Sequence, residues 1–67
     1  SGTAQVLFVG PQTMQARWDV GGLGQFDSTS LVAPGRQNFT QGGVYRLKLT
    51  HITGREGVEP YPTLELG

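Results

Sequence analysis

Sixty-seven residues make one domain at most, and a folded chain of this size buries only about 60% of the surface its unfolded form exposes, so its core must be small. Five basic residues balance five acidic ones, so no net field draws in phosphate backbones or anionic lipid, and nucleic acid is not an expected partner. With no cysteine and one histidine, neither a disulfide framework nor a zinc site of the usual kind is expected; a protein partner or a larger parent chain is the expected source of extra stability.

Eleven glycines and four prolines call for many turns. The residues between them are β-branched and aromatic instead of the Ser, Gln and Lys filler of disordered segments, which is the composition of a compact all-β domain.

In chain order, the first element is "AQVLFV", residues 4–9, closed by the turn dipeptide Gly10-Pro11. Its apolar run, Val6 to Val9, falls far short of the roughly 20 residues that span a bilayer, and no basic region with a long apolar core precedes it, so a soluble segment without membrane insertion is expected. Next, "MQARWDV" places Met14, Ala16, Trp18 and Val20 on one side and Gln15, Arg17 and Asp19 on the other, the period-two alternation of a half-buried strand. The short gap between these segments suits a hairpin. "GGLGQ" then breaks the pattern; it matches neither GxxxxGK[ST] nor GxGxxG, so a wide turn is expected rather than a phosphate loop.

A short apolar piece from Ser30 to Ala33 leads to Pro34-Gly35, the chemistry of a type II turn, and to a strand over Gln37–Thr40. In "VYRLKLTHI", Tyr45, Leu47 and Leu49 share one face and Arg46, Lys48 and Thr50 the other, predicting a long half-buried strand. "TGREG" is a turn, and "YPTLEL" a last strand with Leu64 and Leu66 on one face. Pro60 and Pro62 cannot donate to a ladder, so this segment belongs at a sheet edge, with Tyr61 held extended between them. No stretch shows helical spacing, and no internal repeat is visible.

The residues that can carry chemistry are few. His51 continues the face of Leu47 and Leu49 and reads as a partly covered imidazole at a strand end; no nucleophile stands out for it to activate. Asp19, Asp27, Glu56, Glu59 and Glu65 lack the spacing of a calcium loop. Trp18 shares the phase of Met14 and Ala16 and reads as a core residue rather than a sugar platform. Asn38-Phe39-Thr40 satisfies the N-glycosylation pattern, which has meaning only in a secreted eukaryotic chain. Nucleophile, base and oxyanion donors cannot be assembled, so the chain reads as no enzyme, with no cofactor, metal or small-molecule substrate in evidence.

The phrase "LVAPGRQNFTQGGVYRLKLTHITGREGVEPYPTLEL" resembles a short β-rich segment of predicted secreted or envelope proteins of planctomycete-like bacteria. Pro34, Arg36, Phe39, Gly42, Tyr45 to Leu49, Gly54-Arg55, Gly57 and Tyr61 to Glu65 carry the resemblance, and "VLFVGPQTMQARW" is similar to the start of the same unit. The resemblance implies a secreted, periplasmic or envelope location, and nothing about mechanism.

The expected fold is a single small β domain over residues 1–67, an antiparallel sandwich or partly open barrel of five to six short strands that is a piece or subunit of a larger assembly. The expected function is a non-catalytic structural or protein-interaction module; the alternative is a ligand-binding barrel of the oligonucleotide-binding or SH3-like kind. A thin fold has material to cover only one face of the first strand, so one of the pairs Leu7/Val9 or Val6/Phe8 is expected to stay exposed as a contact surface unless the sheet curls to bury both; Leu7 and Val9 are the expected interface pair. Tyr61, held between Pro60 and Pro62, is expected either to act as a rigid anchor beside them or to pack over the end of the sandwich.

Overall fold

A computed structural model describes residues 2–67. The chain is all-β there: β1 (Thr3–Phe8), β2 (Gln15–Trp18), β3 (Leu31–Val32), β4 (Gly35–Thr40), β5 (Val44–Thr50) and β6 (Thr63–Glu65), with no helix. These strands form two antiparallel sheets, β1-β4 and β3-β2-β5-β6, and do not close into a barrel. Among the described residues, no helix is long and apolar enough to cross a membrane.

The expected hairpin between β1 and β2 does not form. β1 pairs along its whole length with β4, from Thr3 opposite Thr40 to Phe8 opposite Gly35, while β2 pairs with β3 and β5. A hairpin would have set the two apolar rows side by side in one sheet; on opposite sheets they face each other and exclude water between them. Thr13 N–H donates to the Ala33 carbonyl at 3.1 Å and Ala33 N–H to the Met14 carbonyl at 2.8 Å, which fixes the crossing.

Phe39 is the centre of the core, with 4% of its surface exposed. From β4 it meets Tyr45 of β5 at a ring-centroid distance of 4.7 Å, Trp18 of β2 at 5.2 Å in an edge-to-face arrangement, and Phe8 of β1 at 6.5 Å. Met14, Ala16, Ala33 and Leu47 complete the buried apolar set. Trp18 is half-buried and packs edge-to-face with Phe39. Val20 lies beyond the end of β2 and is 65% exposed, so the expected core row stops two residues short of it.

Pro34-Gly35 also departs from expectation. Gly35 does not take the positive φ of a type II turn. Only Ala33 and Pro34 separate β3 from β4, so one stretch of chain bends from one sheet into the other. A Cβ on Gly35 would lie 2.9 Å from both Leu31 Cδ1 and the Val32 carbonyl oxygen, so glycine is required there by close approach. The "TGREG" turn is two tandem turns instead of one: Arg55 N–H donates to the Ile52 carbonyl and Val58 N–H to the Arg55 carbonyl. Gly54 and Gly57, each at the third position with φ near 80° (80° and 83°), supply the left-handed residue such turns need.

Candidate functional site

Two surfaces stand out, and each follows from how the strands are phased. On β1, Ala4, Val6 and Phe8 turn inward, while Leu7 is 50% and Val9, just past the strand, 71% exposed. The backbone of β1 is open as well. Gln41 N–H donates to the Gly2 carbonyl at 2.9 Å, next to the Thr3–Thr40 pair. By the alternation of an antiparallel ladder, Ala4, Val6 and Phe8 bond to β4, and the N–H and C=O groups of Thr3, Gln5 and Leu7 point away from it. Among the described residues, no strand lies on that side. The outward row carries no charge and no proline, the usual devices that blunt an edge.

The proline-pinned segment lies on the other sheet. β6 is its edge strand, beside β5. Leu47 N–H donates to the Pro62 carbonyl at 2.9 Å and Leu49 N–H to the Pro60 carbonyl at 3.0 Å, so the ladder runs on through both prolines. Each proline thus turns its missing N–H toward β5, and the backbone of Tyr61 faces the open edge. Tyr61 remains 42% exposed and packs on Phe26 at 5.3 Å. Leu7 and Val9 therefore belong to the two-stranded sheet, whereas Tyr61, Pro60 and Pro62 border the four-stranded one.

A third feature is a cleft of about 490 Å³ where the tandem turns meet the β1–β2 connection. Thr13 and Thr53 bring their hydroxyls to 3.4 Å across it, and Thr53 Oγ1 donates to the Gln12 carbonyl at 3.5 Å. His51 lines it, exposed and outside β5 instead of continuing the Leu47–Leu49 face, because its φ of 57° turns the chain out of the strand. Its Nδ1 lies 3.0 Å from Thr50 Oγ1. Thr13, at φ 74°, is a second non-glycine residue in the left-handed region at the same cleft, where a β-branched side chain is strained. Glu56 and Glu59 add carboxylates, and Glu59 Oε1 lies 3.9 Å from Lys48 Nζ.

No family model, curated protein or solved structure matches the chain.

Among the described residues, no three His, Asp or Glu side chains gather closely enough to hold a metal ion. "GGLG" closes over Asp19, whose Oδ2 accepts from Gly24 N–H at 2.8 Å. Sequence reasoning passed over Ser28, the one buried polar residue among those described: its Oγ accepts from Trp18 N–H at 2.9 Å and donates to the Thr29 carbonyl at 3.0 Å, tying the long loop to β2. It also passed over the cleft, which joins residues 40 apart in sequence (Thr13 and Thr53). Neither leaves a local pattern to read.

Proposed function

We propose that this domain is a non-catalytic contact module that associates through β1, and that its occupant is a second copy of the chain. The observation that supports this most directly is the coincidence, on one strand, of an exposed apolar pair, Leu7 and Val9, with an uncharged open backbone edge. A lone two-stranded sheet is marginal. Pairing β1 with its counterpart would make one four-stranded sheet in the order β4-β1-β1-β4, sheltering Leu7 and supplying partners for the outward groups of Thr3, Gln5 and Leu7. Two identical edges meet without like-charge repulsion because the outward row has no ionisable side chain. A secreted or envelope setting, which the sequence resemblance implies, is part of the same proposal.

Light scattering across protein concentration tests it. The wild type should rise from the 7.2 kDa chain mass toward twice that value, and Leu7→Lys and Val9→Lys should stay folded and monomeric. A wild type that stays monomeric throughout, or variants that simply unfold, would overturn the reading.

A further inference from the structure

From the cleft between the tandem turns and the β1–β2 connection, we infer a binding site for a primary alkylammonium group. The inference stands apart from the β1 reading. The cleft's volume of about 490 Å³ falls within the range of small-molecule sites, roughly 300–1,000 Å³. Its walls combine Ile52 and Val58 with the threonine methyl groups, a surface for an alkyl stem. Its polar groups are mainly acceptors for a cation: the carboxylates of Glu56 and Glu59 and the hydroxyl oxygens of Thr13 and Thr53.

The charge pattern selects the ligand class. Neither lysine nor arginine lines the cleft; Lys48 offsets Glu59 from the rim, and an anion still meets the Glu56 carboxylate with no cation beside it. An ammonium offers three N–H donors and no acceptor, which is what this acceptor set can use. The molecule already pairs one such group at the rim, since the Lys48 ammonium lies 3.9 Å from Glu59. Glu56 forms no ion pair within 4.0 Å among the described residues and remains available. The two strained residues Thr13 and His51 hold the opposing rims in place, and such strain gathers where a fixed shape serves binding.

Two sources share this chemistry, a free alkylamine and the lysine side chain of a peptide. The test follows backbone amide chemical shifts of the 67-residue chain during titration with n-butylammonium chloride and, separately, with Nα-acetyl-lysine-N-methylamide; 1-butanol is the neutral control. Saturable shifts confined to the cleft, around Thr13, Thr53 and Val58, with at least one cation and not with butanol, support the site; whichever cation binds more tightly identifies the source. Glu56→Gln should weaken binding about fivefold, as expected when one charge-assisted contact is lost, whereas Glu65→Gln, outside the cleft, should leave it unchanged. In the wild type, ionic strength near 1 M, where the screening length is about 3 Å, should weaken binding severalfold. Equal binding of butanol, equal effects of the two glutamate variants, indifference to salt, or shifts spread along β1 would overturn the inference.

Discussion

Replacing Phe39 by alanine removes the side chain on which the two sheets meet. Phe39 is 4% exposed and makes three aromatic contacts, at centroid distances of 4.7, 5.2 and 6.5 Å. Truncating a buried phenylalanine costs about 3–5 kcal/mol. Here the upper half applies, because each aromatic pair is worth roughly 0.5–1.5 kcal/mol beyond its burial and three are lost at once. A chain of this length has roughly 3–10 kcal/mol in total at the usual stability per residue. Phe39→Ala should therefore be largely unfolded at 25 °C, whereas Phe39→Leu, which keeps most of the volume, should cost about 1–2 kcal/mol and stay folded. Urea titration followed by Trp18 fluorescence and far-UV circular dichroism measures both. An alanine variant that keeps a cooperative transition within about 1 kcal/mol of wild type would mean that Phe39 does not join the sheets, and the core assignment would fail.

Gly35→Ala should lower stability by about 1–3 kcal/mol, the usual cost of overpacking, because its Cβ would lie 2.9 Å from Leu31 Cδ1 and the Val32 carbonyl; an unchanged urea midpoint would contradict the close approach. Ser28→Ala, which leaves Trp18 N–H without its acceptor, should cost about 1–3 kcal/mol, seen as an earlier midpoint and faster exchange of the Trp18 amide. His51→Gly should raise stability by up to about 1 kcal/mol, since the left-handed backbone costs a non-glycine residue energy that glycine avoids; destabilisation would show that the imidazole contributes more than its backbone strain costs. Trp18, half-buried, should emit short of the free-indole wavelength and move to it on unfolding; emission already at the free-indole value in the native protein would contradict its contact with Phe39.

The parts of the fold that were legible in the sequence are those set by period-two alternation. "MQARW" and "VYRLKL" announce β2 and β5, and the inward placement of Ala16 and Leu47 follows from phase alone. The tail's position at a sheet edge follows from Pro60 and Pro62, because neither can serve a central strand. Pairing was not legible. β1 and β2 are neighbours in sequence, and the turn chemistry between them suits a hairpin; the preference for two facing apolar rows over one long flat one is a property of the whole chain. Nor does the Pro34-Gly35 dipeptide tell a tight turn from a bend between sheets, since both favour glycine, one for its φ and the other for its missing Cβ.

That one face of the first strand stays exposed follows from a thin fold, but which pair it is, Leu7 and Val9 rather than Val6 and Phe8, and the placement of Tyr61 on the other sheet depend on sheet assignment, which local pattern does not carry. His51 is placed in its cleft by a φ of 57°, and nothing in "LTHITG" distinguishes that from the continued strand.

Amide hydrogen exchange along β1, measured as protein concentration is raised, tests the contact reading most directly. The account predicts that the Val6 amide, bonded to β4, is protected at every concentration, whereas the outward amides of Gln5 and Leu7 exchange rapidly when dilute and gain protection together as the chains associate, a gain abolished by Val9→Lys. Outward amides that stay unprotected at every concentration, or that are protected in the dilute monomer, would contradict it.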